Sequence, residues 1–261
     1  MTPAGVPRSV QVRTRVVEAA VELFDERGYE ATSVDDLARA AGLSRSTYFR
    51  QVGGKEDAVF ADHPHLIEEL GAWMDGQDTD PWATVCAASE RVFAHLSADL
   101  DLARRRYAAV RGVRALRDRE IITERGYERL FSDFLRRTVP GLEAVEAIGF
   151  AALVTATHNY YLRQAVRATE GSDADPAAPG AGDGHAGVTS PARPRPDDTG
   201  RQAAVLAAAL DRVRSRFAVG AEGAGEGCAS SGNQVLVASF PAAMPSGEVL
   251  RRVRQALDEG A

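Results

Sequence analysis

The chain has 261 residues, of which 44% are hydrophobic and 26% are charged. This balance is typical of a chain that folds around one large core or two smaller ones, and it excludes a fibrous or wholly disordered protein. The formal net charge of −6 excludes a general coating of nucleic-acid-binding charge, so any such activity must be local.

The two cysteines, Cys86 and Cys228, lie far apart without a C-x-x-C spacing, which excludes a disulfide scaffold and a zinc-cysteine motif. No apolar run approaches the roughly 18 residues that a membrane helix needs, and no signal-peptide pattern is present. We therefore expect a soluble, cytoplasmic protein.

Apolar residues at helical spacing predict an all-α fold. In the first predicted helix, Val16, Ala20, Leu23 and Phe24 share one face, and Gly28 is placed to end the helix. Strand-like patterning is nearly absent before residues 235–240.

A helix-turn-helix pattern follows the first helix. Ser33 and Asp36 have the spacing of a capping box, which predicts the start of a second helix. Gly42 supplies a tight turn, and Ser44 can cap a third, short helix that runs from residue 45 to about residue 51. Such a pair can place its second helix in a DNA major groove. On spacing alone, a helical hairpin within a core is an equal alternative.

The later part of the chain is divided by proline and glycine, and Asp80 followed by Pro81 predicts a helix start with a cap and a first-turn proline. Its periodicity predicts helices over residues 66–75, 82–96, 99–116, 119–137, 142–167 and 201–218. Residues 168–200 are rich in glycine and proline, which predicts a disordered loop. The domains predicted from these breaks are a flexible arm (1–11), a helix-turn-helix domain (12–63), a helical body (64–219, including the loop) and a glycine-rich linker with a short extension (220–261).

The segment from residue 14 to residue 63 adds a family resemblance. It contains ELFDERGYEATSVDDLARAAGLSRST (residues 22–47) and GKED (residues 54–57), and it resembles the N-terminal DNA-binding domain of the tetracycline-repressor (TetR) family. The resemblance implies a homodimer in which each subunit has a three-helix DNA-binding head and a larger helical body that binds a small molecule and dimerises.

The resemblance also implies roles for particular residues. Thr32 and Lys55, the only lysine in the chain, correspond to phosphate contacts, with Lys55 at the start of the fourth helix. The start of the third helix corresponds to the end that faces the base edges, and Arg45 is the best candidate there for a bidentate contact with guanine. The DNA-binding residues expected from the resemblance are Thr32, Ser44, Arg45, Ser46, Thr47, Tyr48, Arg50 and Lys55.

One position departs from the family pattern. The family tyrosine that bonds a phosphate is replaced by Phe49, which cannot donate a hydrogen bond, so either Tyr48 substitutes for it from the neighbouring position or the contact is lost. Residues 1–60 hold eight basic and nine acidic side chains, so DNA affinity must depend on where the basic side chains are placed.

Large or amphipathic side chains among the apolar helices of the body are candidates for a ligand pocket. They are Trp82, His95, Tyr107, Tyr127, His158 and Asn159. The segment Asp62-His63-Pro64-His65 has metal-ligand side chains, but a helix end explains it better and no metal site is expected. The arginine-rich stretch over residues 104–119 is interpreted as a solvated, salt-bridged face. No catalytic arrangement or cofactor motif is recognised, so an enzyme is not expected.

The sequence therefore predicts a regulator, most simply a repressor, that binds a palindromic operator DNA as a homodimer and is released by a small molecule. Two alternatives stay open. The first is a DNA-binding or architectural protein that needs no ligand, and the second is a helical small-molecule-binding protein without DNA recognition. The identity of the ligand cannot be read from the sequence.

Overall fold

The computed structural model describes residues 8–168 and 196–221, and these form helices joined by short turns, with no strand among them. The predicted all-α class is therefore confirmed. The helices are α1 (Arg8–Arg27), α2 (Val34–Ala40), α3 (Arg45–Gln51), a 3₁₀ turn (Ala58–Phe60), α4 (His63–Asp75), α5 (Pro81–Leu96), α6 (Leu100–Gly112), α7 (Arg114–Thr138), α8 (Ala144–Ala168) and α9 (Pro196–Ala221).

The first three helices form a small head. The predicted helix start at Ser33 and the predicted glycine turns are present in the structure. The Ser33 hydroxyl accepts a hydrogen bond from the Asp36 amide, and the Asp36 carboxylate accepts one from the Ser33 amide. Gly28, with φ of 80°, follows the last residue of α1. Gly42, with φ of 70°, forms the turn between α2 and α3, where a Cβ atom would strain the backbone.

The core of the head is completed by the body. The apolar faces of α1, α2 and α3 meet around Val16, Leu37 and Tyr48, and Val110 and Leu116 from the body pack into the same cluster. All five side chains are buried. The helices α6 and α7 therefore form part of the support of the helix-turn-helix.

The junction between α6 and α7 corrects one predicted boundary. The periodicity predicted one helix over residues 99–116, but Val113 is extended (φ −120°, ψ 122°) and separates α6 from α7. Gly112, a poor helix former, ends α6, and Val113 packs against the head cluster. This break directs both Val110 and Leu116 into the core of the head.

The body is built around α5, α7, α8 and α9. Its core contains Phe93 from α5, Leu135 from α7, Phe150 from α8, and Leu206 and Leu210 from α9, all of them buried. The Asp80 carboxylate caps the start of α5, as predicted, by accepting hydrogen bonds from the amides of residues 82 and 83.

Several helix ends differ from the prediction. The first helix begins at Arg8, inside the segment predicted as a flexible arm, and α9 begins at Pro196, inside the predicted loop. Proline fits there because the amides of the first helical turn have no partner within the helix. The rest of the predicted arm (1–7), of the loop (169–195) and of the C-terminal linker and extension (222–261) lies outside the described residues.

No helix within residues 8–168 and 196–221 combines the length and the apolar character that crossing a membrane requires.

The turn between α2 and α3 can be tested with one pair of glycine substitutions. Gly42→Ala is expected to lower the free energy of unfolding by about 1 kcal/mol, because alanine must adopt the left-handed conformation there. Gly112→Ala is the control, since its φ is not positive and a Cβ atom there meets no neighbour; it should be neutral or slightly stabilising. Urea unfolding measures both, and an unchanged stability of Gly42→Ala would contradict the assigned turn.

Candidate functional site

The start of α3 presents a polar, solvent-exposed surface. The Ser44 hydroxyl accepts a hydrogen bond from the Thr47 amide at 3.2 Å and so caps the helix. The side chains of Arg45, Ser46, Phe49 and Arg50 are exposed. Arg45 Nη1 lies 2.9 Å from Asp35 Oδ2, and its guanidinium carbon lies 5.6 Å from the centre of the Phe49 ring. The exposed end of α3 thus carries a preorganised arginine.

The expectation for Tyr48 is corrected by the structure. Tyr48 is fully buried, its hydroxyl donates to the Gly54 carbonyl at 3.3 Å, and burial raises the pKa of its phenol. Consecutive residues of a helix face different directions, so Phe49 points outward instead and is 47% exposed. Tyr48 is therefore a core residue of the head, and its hydroxyl cannot replace the phosphate contact that Phe49 lacks.

Thr32 and Lys55 also form contacts within the head. Thr32 is buried, and its hydroxyl lies 2.9 Å from the Gly28 carbonyl, to which it can donate at the end of α1. Lys55 Nζ donates to the Tyr29 carbonyl at 2.8 Å and lies 4.0 Å from the centre of the Tyr29 ring. Lys55 precedes the 3₁₀ turn and does not start the fourth α-helix. The hydroxyl of Thr32 is therefore not available to a phosphate, whereas Lys55 is only partly buried.

A cavity of about 340 Å³ lies behind the head, between α1 and helices α4 to α8. Five of the six residues expected in a ligand pocket line it, namely His95, Tyr107, Tyr127, His158 and Asn159. The sixth, Trp82, does not, because its ring packs in the body core with ring centres 4.7 Å from Phe150 and 5.8 Å from Phe217. Thr14, Val17 and Glu18 of α1 also line the cavity. The cavity therefore contacts the first helix of the head.

An ion pair in the cavity wall was missed by the sequence analysis. Arg106 donates two hydrogen bonds to the Asp62 carboxylate, at 2.8 and 3.1 Å, and His95 Nε2 lies 3.6 Å from the same carboxylate. Burial by itself raises the pKa of Asp62, but Arg106, His63 and His95 together outweigh this effect and hold that pKa well below its ordinary value. Arg106 is mostly buried, so the arginine-rich stretch is salt-bridged as expected but not wholly solvated.

Two further carboxylates line the cavity on α7. Asn159 donates to Glu124 Oε1 at 2.7 Å, and Arg163 Nη2 lies 3.7 Å from the same oxygen. Burial raises the pKa of Glu120 and, together with the charge of Glu120, that of Glu124, while Arg163 lowers both. Within the part of the chain that the structure describes, Glu120 has no hydrogen bond or ion pair. Arg163 is thus paired with Glu124, whereas Arg163 and Arg106 influence Glu120 only through their charge.

The buried histidines of the cavity are uncharged at neutral pH. His63 Nδ1 lies 2.8 Å from the Tyr127 hydroxyl, and burial lowers the pKa of His63 to about 3. His158 Nδ1 lies 3.2 Å from the Ser89 carbonyl, and burial lowers the pKa of His158 to about 4. Along residues 8–168 and 196–221, no group of three or more potential ligands is arranged to hold a metal ion. The segment 62–65 instead begins α4, with a proline in the first turn.

Comparisons with known proteins concern mainly the head. Residues 16–61 match the family model described as bacterial regulatory proteins, tetR family. The chain is 27% identical over 128 residues to HbdR, an HTH-type transcriptional regulator of Aromatoleum sp. (strain CIB), covering 47% of this chain and 55% of that protein. It is 36% identical over 64 residues to a Mycobacterium tuberculosis (strain ATCC 25618 / H37Rv) protein named as the mycofactocin biosynthesis transcriptional regulator MftR, covering 24% of this chain and 32% of that protein.

These matches therefore span about a third to about a half of the two relatives. The fold is similar over a longer stretch to a solved structure from Syntrophomonas wolfei str. Goettingen described as a TetR-family transcriptional regulator. That likeness has a TM-score of 0.51 and 12% sequence identity, and it covers 78% of this chain and 95% of the other. The predicted architecture, a helix-turn-helix head with a helical body, is confirmed.

Acid should destabilise the protein through its buried histidines. Below about pH 6.5 the unfolded chain binds protons at His63 and His158, whereas the folded chain resists them until about pH 3–4. Each histidine therefore lowers the free energy of unfolding by up to about 1.4 kcal/mol per pH unit on acidification. In His158→Asn, whose amide can still donate to Ser89, this slope should fall by about that amount.

Urea unfolding at a series of pH values measures the slopes of the two proteins. Above about pH 7.5 both histidines are neutral in the folded and unfolded chains, so the two curves should run parallel there, which serves as the control. Parallel curves in the acid range as well would mean that His158 takes up its proton in the folded chain.

Proposed function

We propose that this chain, whose N-terminal domain belongs to the tetR family of bacterial regulatory proteins, is a one-component transcriptional repressor. As a homodimer in the cytoplasm it binds an inverted-repeat operator and releases it when a small molecule enters the cavity. The observation that carries the proposal is the exposed start of α3 on a head of matching sequence, held on a cavity-containing body.

The proposed DNA contacts follow from exposure at α3. The guanidinium of Arg45 forms a surface ion pair with Asp35. Such a pair contributes only about 0–1 kcal/mol, so Arg45 can exchange it for hydrogen bonds to a guanine. Ser44, Ser46, Thr47 and Arg50 are proposed to contact the DNA backbone or base edges beside Arg45. Lys55 contributes positive charge from the adjacent loop, and Phe49 offers an apolar contact.

The proposed dimer interface lies on α8 and α9. One face of α8 packs in the body core, while Val145 and Ile148 on another face are exposed, as is Val205 on α9. Helices that are apolar on two faces are buried on both, and small residues such as Gly149 permit a close approach. A second copy of the chain would cover these faces.

The coupling between ligand and DNA is proposed to run through the shared cavity wall. The cavity is lined by α1 of the head and by helices of the body, so a molecule inside it contacts both. A ligand that binds better to an arrangement in which the two α3 helices no longer fit half-sites about 34 Å apart would shift the population away from DNA. By linkage, operator DNA must weaken ligand binding equally.

Selection of bound sequences from a random pool of DNA duplexes tests the proposal directly. An enriched inverted repeat is expected, and failure to enrich any sequence with folded protein would contradict it. Arg45→Ala should then lose about 1–3 kcal/mol of affinity for the selected sequence and relax the preference at one base pair of each half-site. Arg39→Ala removes the same charge from the exposed end of α2 and should leave the base preference unchanged, as a control.

The dimer interface can be tested with two isoleucines of nearly equal exposure. Ile148→Asp on α8 (58% exposed) should raise the dimer dissociation constant at least about tenfold, because it buries an unpaired charge in the proposed interface. Ile122→Asp on α7 (59% exposed) is the control and should leave the dimer intact. Sedimentation velocity measures both, and equal behaviour of the two variants would place the interface elsewhere.

A further inference from the structure

The described wall of the cavity carries more negative than positive charge. Among the residues that the structure describes, five carboxylates and two guanidiniums line it, and the buried histidines His63 and His158 are uncharged at neutral pH. Arg106 is bound to Asp62 by two hydrogen bonds, and Arg163 lies closest to Glu124. Once these pairs are set aside, Glu120 is a partly buried carboxylate with no hydrogen bond or ion pair among the described residues, although the charges of Arg163 and Arg106 act on it from farther away.

The position of Glu120 matters because it is partly buried, and a carboxylate that loses part of its hydration is destabilised unless a positive or hydrogen-bonding group faces it. Within residues 8–168 and 196–221 no such group lies within contact distance of Glu120. Two exposed carboxylates, those of Glu18 and Asp99, line the same cavity. Their charge adds to a negative potential that would attract a cation and repel an anion.

A second and independent observation comes from α8. The hydroxyl oxygen of Thr155 is buried and has no hydrogen-bond partner among the residues that the structure describes, although Thr155 lines the cavity and is 6% exposed. Buried hydroxyls are normally paired, so this group is available to a polar atom of a bound molecule. The remaining wall is largely apolar and includes the aromatic rings of Tyr127 and Phe131, whose faces attract cations.

An anionic ligand fits this cavity poorly. Both guanidiniums already face carboxylates, so a carboxylate or phosphate ligand could reach one only by displacing Asp62 or Glu124. The displaced carboxylate would then remain buried without its partner. A cation requires no such exchange, because the Glu120 carboxylate has no hydrogen bond or ion pair within residues 8–168 and 196–221.

We propose that the cavity binds an organic monocation with an apolar body, such as a quaternary or protonated amine, whose charge lies against the Glu120 carboxylate. The apolar part occupies the space beside Tyr127 and Phe131, and the Thr155 hydroxyl bonds any polar substituent. This inference specifies the ligand class of the function proposed above and rests on it. Its binding test, however, requires no DNA.

Three probes with the same tail and different head charge provide the test. Octyltrimethylammonium, octanol and octanesulfonate are titrated calorimetrically into the full-length protein below their micelle concentrations. The cation is expected to bind at least about tenfold more tightly than octanol, and octanesulfonate more weakly than either. In Glu120→Gln the affinity for the cation should fall about tenfold, towards that for octanol, while octanol binding stays unchanged.

Asp133→Asn is the matched control, because it removes one negative charge from an exposed position of the same helix outside the cavity. It should leave all three affinities unchanged. Thermal unfolding of each variant establishes that the fold is intact, and Glu120→Asp keeps the charge if the amide variant does not fold. With Glu120→Asp, selectivity for the cation over octanol should remain.

Four results would overturn the inference: no binding of the cation, equal binding of the cation and octanol, tighter binding of octanesulfonate, or full cation affinity in Glu120→Gln. The selection of bound DNA sequences described above is an independent experiment. Enriched DNA together with any of these results rejects the ligand class and keeps the regulator. Selective cation binding without enriched DNA rejects the regulator and keeps the ligand class.

Discussion

The head of this protein depends on side chains that it does not itself supply. A three-helix domain of about 50 residues buries little apolar surface, so its free energy of unfolding would be small if it stood alone. Val110 and Leu116, from opposite sides of the α6–α7 break, complete the core on which α1 and α3 rest. A displacement of α6 or α7 therefore reaches the exposed start of α3 through packed side chains that adjust little. The orientation of the exposed surface of α3 is thus expected to depend on the positions of α6 and α7.

Much of this arrangement could be predicted from local patterns. The capping box at Ser33, the turn at Gly42 and the cap at Asp80 are formed by residues close in sequence, and all three are present as predicted. The break at Val113 could not be predicted in this way, because it is stabilised by contact with a head that is distant in sequence. Tyr48 was misjudged for the same reason, since its type fits both a core and a polar surface, and only the packing of α3 decides between them.

Some residues of the candidate site could likewise be predicted from the sequence, and others could not. Five of six expected pocket residues line the cavity because large amphipathic side chains on apolar helices often face internal space. Trp82 does not line the cavity, because a tryptophan is equally suited to a packed core. The charged members were missed, although Glu120, Glu124 and Tyr127 follow one another at helical spacing on α7 and form one face. Asp62 stood out in the sequence as part of the segment 62–65. Its ion pair could not be predicted, because its partner Arg106 is 44 residues away in sequence.

The single lysine of the chain has a practical consequence. Lys55 lies in the loop after α3, and its ammonium group binds the carbonyl of Tyr29 at the end of α1. A protease that cuts only after lysine can therefore hydrolyse this chain at one bond, between Lys55 and Glu56. An extended segment must enter the protease, so cleavage requires this loop to leave the head. The rate of that single cut would report how often this loop leaves the head, by local opening or by unfolding of the whole structure, without any label or substitution.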